Sequence, residues 1–342
     1  MGFRLLRFTN TIILASIAAL TLSGVYGLFW PFPAWLFDVH RFSGWILIGT
    51  LPWKVAISLH SLRRGIGFTF DRGPMIFVSL SAAVLTMLVL TLGLAWGFRL
   101  LPETLWLRQT ALSWHWMLGL ALILPFALHA WRRWPRPRRA DLLSRRAALH
   151  VFGLGIAAGL GWWISLILGE KRASPDSSNR FTGSRLAASY SGNQFPVTHT
   201  LAATPDQVNP EQWRLIIEGA VFNQRVYTYP QLLTLRSATK NATLDCTLGW
   251  YTVQEWRGLP LNDLLDDAGI TPQAFAVRFE SATGYANILP LEEANQVLLA
   301  THVGDETLEH SHGFPLRAIV PSRRGWFWVK WLKRIEVLGL GD

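Results

Sequence analysis

Nine histidines and one cysteine hold most of the chemistry open to this 342-residue chain. Four of the histidines, His40, His60, His115 and His129, stand in strongly apolar surroundings. His115 and His129 are 14 positions apart. On a helix that is ~21 Å of rise and within ~40° of four whole turns, so both rings leave one face at well-separated heights. Two stacked metal sites need such a spacing. His40 and His60 are 20 positions apart, which is ~30 Å and ~200° out of phase on an ideal helix. One of them must lie beyond the regular helix, or Pro52 must bend it. The lone Cys246 ends a run that reads as a strand, and a lone Cys is most often a small buried hydrophobe. A single Cys excludes a disulfide framework within the chain, a cysteine-held zinc or iron–sulfur cluster, and a c-type haem attached through CxxCH.

The elements that must position these residues fall into two halves. Half of the chain is apolar, 16% is charged and 18 residues are Trp, which excludes disorder and points to a bilayer interface or a flat cofactor. Five apolar stretches, at about 11–30, 44–59, 74–98, 111–131 and 147–168, each approach the ~20 residues that cross a bilayer. The net charge of +10 suggests a nucleic-acid binder until it is divided along the chain. Residues 1–172 hold 18 Lys and Arg against 5 Asp and Glu, and residues 173–342 hold 14 against 17. The basic excess therefore belongs to membrane loops, and nucleic acid is excluded as a partner.

Within the first half the charge alternates. Segments 1–10, 61–73 and 131–146 hold 12 arginines, and the loops between them only Arg41, Arg99 and Arg108. By the positive-inside rule the N-terminus is cytoplasmic, five crossings follow, and the second half lies outside a bacterial or archaeal cytoplasmic membrane. The first stretch reads as a span and not as a cleaved signal peptide. The paired histidines resemble those of the b-type cytochromes of energy-transducing membranes, which hold two haems between helices that each carry two histidines. The resemblance covers residues 38–131 and implies haem b, one or two. Depth pairs His40 with His115 on the outer side and His60 with His129 on the inner side, where His150 competes. Lys54 has two readings, a partner for a haem propionate or a snorkelling cation. The segment from Ser144 through Arg145, Arg146 and a Gly/Ala run with Gly153, Gly155, Gly159 and Gly161 looks like an internal twin-arginine export signal; its plainer reading is two more positive-inside arginines.

Residues 171–195 are Ser/Asn/Gly-rich and without periodicity, a linker or a wrapping arm. After them, 213–221, 242–248, 276–282, 316–321 and 331–338 read as strands, and 259–270 and 291–302 as short amphipathic helices. That is an α+β domain over 196–342. Its closing stretch, SHGFPLRAIVPSRRGWFWVKWLKRIEVL at 311–338, closely resembles the end signature of the sulfite-oxidase family of molybdenum enzymes, and the strand ending in Cys246 followed by W-x-G-x-P-L-x-x-L-L resembles the same family. The resemblance implies a molybdenum–molybdopterin cofactor with Cys246 as the metal's thiolate ligand. It implies that His312, Arg317 and Lys330 hold the pterin and its phosphate, with Arg323 and Arg324 flanking them. Lys333 and Arg334 read as solvated charges, and His302 and His310 as loop histidines without a third ligand.

Sulfite-oxidising members of that family carry an Arg a few residues after the cysteine, and here 247–251 reads TLGWY. The expected site is therefore walled by Trp250, Tyr251 and Trp256 and takes a neutral substrate, as in the sulfoxide-reducing branch. The whole reading is an all-α transmembrane bundle of about five spans at 1–170, followed by a sulfite-oxidase-type α+β domain. Quinol or quinone, membrane lipid and a small oxygen-atom donor or acceptor are its partners. Sulfite-type oxidation feeding quinone is the alternative direction, and a metal-free membrane-anchored binding module the rival from another class.

Overall fold

A computed structural model describes residues 3–30, 33–64, 73–101, 109–133, 145–171, 180, 182–197, 205–321 and 323–340. The chain divides into two compact units, Met1–Gly183 and Ser184–Asp342.

The first unit is helical. Its elements are α1 (Phe3–Phe29), α2 (Ala34–Arg64), α3 (Gly73–Gly97), α4 (Ala111–Arg133) and α5 (Arg145–Lys171). All five are long and apolar enough to cross a membrane. Many of their large apolar side chains are exposed, Leu22, Phe77, Leu124 and Trp131 among them, as expected of helices solvated by lipid. α1 packs on α2, α3 on α4, and α5 on α2. At one α2–α5 contact, a Cβ on Gly161 would come within 2.6 Å of the Trp45 ring, so at least one glycine of the Gly-rich run serves close packing. The second helix starts ten residues earlier than its apolar run suggests and holds both His40 and His60. Of the two alternatives for these histidines, a place beyond the regular helix does not hold, and Pro52 sits inside the helix. Arg145 heads α5, and the side chains of His60 and Arg146 lie outside the described residues.

The second unit is built on two sheets. One has the order β1-β5-β8-β10, with β4 (Ala238–Asp245) on β5 (Trp250–Pro260) and β9 (Glu306–Thr307) on β8 (Leu298–Val303); β1 is Arg185–Leu186 and β10 Arg317–Ile319. The other has the order β3-β2-β11-β6-β7, from β3 (Arg225–Thr228), β2 (Arg214–Gly219), β11 (Leu332–Gly339), β6 (Ala274–Ser281) and β7 (Ala286–Pro290). Alternation decides which faces turn inward: Leu215 and Ile217 of β2, and Ile335 and Val337 of β11, are buried between less buried neighbours. With Trp256, Phe279, Leu299 and Ile319 they form one core shared by both sheets. Helix α7 (Leu261–Ala268; α6 is Tyr229–Thr234) adds Leu261, Leu264, Leu265 and Ala268 at helical spacing. The stretch 291–302, expected as one helix, is a single turn α8 (Leu291–Ala294) followed by strand β8, because ValLeuLeuAla at 297–300 is wholly buried and a fully buried apolar run suits a strand.

Candidate active site

Cys246 sits immediately after β4, in the four-residue turn that leads into β5. Its N–H donates to Trp250 O at 2.8 Å, and Gly249 N donates back to Cys246 O at 3.1 Å. Gly249 has φ +94°, a conformation that only glycine adopts without strain. The thiol opens on a cleft of ≈ 840 Å³, counting its solvent-open part, whose walls include Trp250, Trp326, Trp328, Trp331, Arg317 and Lys330. No Asp or Glu stands among the described lining residues.

A turn at Gly313 lies against one of the cleft's cations. Gly313, in the HGFP motif, has φ +116°, and a Cβ there would meet Lys330 carbons at 3.1–3.3 Å, so the glycine lets the Lys330 stem lie against the turn. Lys330 Nζ donates to Ser311 O at 2.8 Å and stands 5.4 Å from the Trp331 ring. Arg317 is 3% exposed; one terminal nitrogen donates to His312 O at 3.0 Å, and its Nε has no partner. The Trp250 indole N–H is likewise buried and unpartnered. Burial lowers the Arg317 guanidinium to about 10, against an opposing pull from Cys246. Lys330 falls to about 7, mainly through burial and then through the Arg317 charge, again opposed by Cys246. A buried cation pair beside a thiol, with orphaned donors and no carboxylate, is short of negative charge. These residues fit an anionic dithiolene cofactor with a phosphate and a soft, thiolate-bound metal.

The structure does not gather every expected residue at the cleft. His312 is buried behind it: its Nε2–H donates to Asn193 O at 2.8 Å, and its ring lies 3.9 Å from that of Phe195. Burial, then the Arg317 charge, holds its pKa down at about 4. Arg323 points away, paired with Glu293 through bonds of 2.7 and 2.6 Å. Arg324 is nearer the thiol, donating to Asp245 Oδ1 at 3.2 Å and Cys246 O at 3.1 Å. Tyr251 is buried and does not line the cleft, and Trp256 is a core residue packed edge to face with Phe195 and Trp328. Both are corrections to the expected walls. Adjacent strand residues face opposite ways, so Trp250 and Tyr251 cannot share one wall. Trp326, Trp328, Trp331, Tyr285 and Phe195 form the walls that sequence reasoning missed. Phe195 arrives on the arm 184–197, at the end of the stretch read as a linker, where β1 pairs parallel to β5. Lys333 and Arg334 pair with Glu280 and Glu218 at the surface. His302 bonds Thr301 and His310 bonds Pro205 O. Among the described residues no group of three or more His, Cys, Asp or Glu could hold a metal ion.

In the helical unit, the rings of His40 on α2 and His115 on α4 stand 6.1 Å apart, edge to face. His40 Nδ1 bonds Ser23 Oγ of α1 at 2.8 Å, and His115 Nδ1 bonds Val89 O of α3 at 2.8 Å. His129 Nδ1 bonds Ser79 Oγ of α3 at 2.9 Å. In each case the Nδ1 bond runs to another helix, the kind of partner that orients a ligating histidine. Two imidazoles on one iron, at metal–nitrogen bonds of ~2.0–2.1 Å, have centroids ~6 Å apart. The separation of the His40 and His115 rings is of that size. Gly93 allows the close approach, since a Cβ there would lie 3.0 Å from the His115 ring. Lys54 Nζ donates to Asn10 Oδ1 at 3.1 Å.

A two-sheet domain that brings one thiol, two cations and orphaned donors onto an aromatic cleft has the makings of a cofactor-dependent oxidoreductase. Comparison with known proteins identifies it further. The profile of the oxidoreductase molybdopterin binding domain matches residues 201–339. The chain is 30% identical over 244 residues to the protein-methionine-sulfoxide reductase catalytic subunit MsrP of Gluconobacter oxydans (strain 621H), with 60% of this chain and 75% of that one covered. It is 29% identical over 145 residues to the uncharacterized oxidoreductase YuiH of Bacillus subtilis (strain 168), covering 42% and 73% respectively. Mitochondrial sulfite oxidase of Drosophila melanogaster is 31% identical over 160 residues, 38% of this chain and 28% of that one. The chain belongs to the sulfite-oxidase-like family of molybdopterin-binding oxidoreductases, and it is an enzyme.

Proposed function

We propose that this enzyme reduces a neutral sulfoxide outside the cytoplasmic membrane, with electrons from quinol delivered through haem b in the helical unit. The carrying observation is the cleft: the thiol of Cys246 is faced by indole rings, and no cation stands at 247–251 to collect an oxyanion. Similarity to the methionine-sulfoxide reductase subunit over three quarters of its length supports the same reading.

Molybdenum, when bound, supplies the two-electron oxygen-atom transfer that no side chain can perform. The chain's own groups do the rest. Cys246 provides the thiolate. Arg317 and Lys330 balance the cofactor's negative charge, with Arg317 Nε and the Trp250 N–H as donors waiting for acceptors. His312, neutral at physiological pH, braces the Arg317 loop from behind. The indoles of Trp326, Trp328 and Trp331 exclude water and offer polarisable faces to a sulfur substrate. The reaction consumes two electrons and two protons, turning sulfoxide into sulfide and water, and one quinol carries both. His40 with His115, and His60 with His129, would hold the haem irons, and haem when bound supplies one-electron carriage. The alternating arginines support five crossings with the N-terminus inside and the enzyme domain outside.

A second reading, sulfite-type oxidation feeding quinone, draws on Arg317 and Lys330, two cations on the same lining that would also attract an oxyanion. The experiment that separates them is a redox assay on purified full-length protein. The haems are reduced with quinol and their bands followed on adding dimethyl sulfoxide, a methionine sulfoxide or sulfite. Reoxidation by a sulfoxide and none by sulfite is expected. Reduction of the oxidised haems by sulfite would reverse the assignment.

A further inference from the structure

Tyr285 and Asn287 lie two positions apart at the β6–β7 hairpin, Tyr285 just before β7 and Asn287 within it, so both side chains leave on the same side of the chain. Asn287 is paired in register with Phe279 of β6, whose ring belongs to the core. Both polar side chains reach one atom, the carbonyl oxygen of Trp326. The Tyr285 hydroxyl donates to it at 2.7 Å and Asn287 Nδ2 at 2.8 Å, and Nδ2 also donates to Tyr285 Oη at 2.8 Å. Trp326 O can only accept, which fixes the amide nitrogen of Asn287 on that side. With Oη accepting from Asn287, the single phenolic hydrogen is committed to Trp326 O. Burial raises the Tyr285 phenol to about 12, against the opposing Asn287 bond, so that hydrogen stays in place at physiological pH.

The turn gripped in this way is part of the cleft. Trp326 sits in the 3₁₀ turn Gly325–Phe327. A Cβ on Gly325 would come within 3.3 Å of Asp245 O and 3.5 Å of Cys246 Cα, so the turn lies against the backbone that carries the thiol. The Tyr285 and Trp326 rings meet edge to face, centroids 5.7 Å apart and planes at 86°. Two bonds to the carbonyl and one ring contact therefore hold the backbone and the indole of Trp326 together. Trp328 and Trp331 are 2% and 8% exposed, and Trp326 is 39% exposed. Of these three wall indoles, Trp326 is the one that a substrate arriving from solvent meets with open surface. A neutral sulfoxide concentrates its polarity on the sulfur–oxygen bond and carries apolar substituents on sulfur. A fixed, half-open indole suits such a substituent, because an aromatic face gains most from a flat or extended apolar group.

We propose that Trp326 is a specificity-determining residue that seats the apolar substituent of the sulfoxide, and that Tyr285 and Asn287 are the positioning residues that hold it there. The assignment rests on the sulfoxide-reducing reading above and narrows its substrate class to sulfoxides bearing an aryl or extended alkyl group.

The test uses the full-length, molybdenum-loaded protein with a viologen donor and compares kcat/KM for methyl p-tolyl sulfoxide with that for dimethyl sulfoxide. The wild type should favour the aryl sulfoxide. Trp326→Ala, and separately the double variant Tyr285→Phe with Asn287→Ala, should each lower that preference by about fivefold or more, the size of one well-placed aromatic contact. The fall should be carried by KM for the aryl substrate. Molybdenum content and thermal unfolding report that each variant is loaded and folded. A smaller fall in either loaded variant, or one carried by kcat, overturns the assignment. Should the double variant not load, Asn287→Ala alone decides, with a fall of about twofold or more expected because the Tyr285 bond to Trp326 O remains, and a smaller one overturning it. If the wild type reduces both sulfoxides without favouring the aryl one, this inference falls and the sulfoxide-reducing reading stands. If the wild type reduces neither, both fall.

Discussion

Arg317 is the side chain whose surroundings most demand an anion. It is buried and keeps one guanidinium nitrogen without an acceptor, and an unsatisfied buried donor costs about 1–3 kcal/mol. With Lys330 it flanks the only thiol in the chain. Cys246→Ser replaces a soft thiolate by a hard alcohol. It should lower sulfoxide turnover by more than the roughly 10–100-fold that loss of an outer partner costs a metal site, with haem spectra unchanged. Full turnover in that variant, measured with a viologen donor, would remove Cys246 from the chemistry. His312 gives a pH prediction. Its folded pKa of about 4 lies below the ordinary 6.5. Between those values the unfolded imidazole takes up a proton and the folded one does not, so stability is lost as pH falls from 6.5 towards 4. The loss approaches ~3 kcal/mol at ~1.4 kcal/mol per unit. Amide exchange at 310–318, corrected for its intrinsic pH dependence, should show protection falling across that window. His312→Gln, which keeps a donor for Asn193 O, should flatten it. Cys246, Arg317 and Lys330 are legible from motif alone because each lies in or beside a short motif segment: Cys246 in the β4–β5 turn, Arg317 at the head of β10 and Lys330 against the Gly313 turn. Arg323 and Arg324 were not separable, since their partners Glu293 and Asp245 are 30 and 79 positions away.

The turn between β4 and β5 depends on a contact that no local pattern reveals. Arg324 crosses to it and binds both Asp245 Oδ1 and Cys246 O, and Ser184 on the arm donates to the same Asp245 oxygen at 2.6 Å. The Asp245–Arg324 pair is buried, so removing the cation leaves a carboxylate in a dry place. Arg324→Met should cost ~3–5 kcal/mol and lower the molybdenum content, read by thermal unfolding and metal analysis. A variant with wild-type stability would make the pair ornamental. Strand and helix identities along 213–221, 276–282 and 331–338 were legible because alternation and burial agree there. The run at 291–302 was not, because EEAN imitates a helix start while the following buried run is claimed by β8. The indole walls were hidden for a different reason. In a chain with 18 Trp, nothing in the sequence separates Trp256, which fills the core, from Trp326, Trp328 and Trp331, which line the cleft.

At the scale of the molecule, two units with separate cores meet two different solvents in the proposed reading, and each half makes its own prediction. A periplasm-active reporter fused after residue 342 should be active, and a cytoplasm-active one silent; the reverse would overturn the five-crossing topology drawn from the arginines. The histidines divide the helical unit further. His40 and His115 link the α1–α2 pair to the α3–α4 pair, while the Ser23 and Val89 bonds hold each ring within its own pair. If their only task were to join helices, His115→Asn would keep a donor for Val89 O, and the haem content would not change. If they hold iron, the same variant should lose one haem per chain by pyridine haemochrome, and the remaining spectrum should be that of a single b centre. His129→Asn should remove the other haem and leave the first. Loss of sulfoxide-driven haem reoxidation in the His115 variant, with the His129 variant still reoxidised when an external donor is supplied, is the outcome expected of an outer haem that passes electrons to the enzyme domain. Unchanged haem content in both variants would reduce these histidines to interhelical hydrogen-bonders and the helical unit to an anchor.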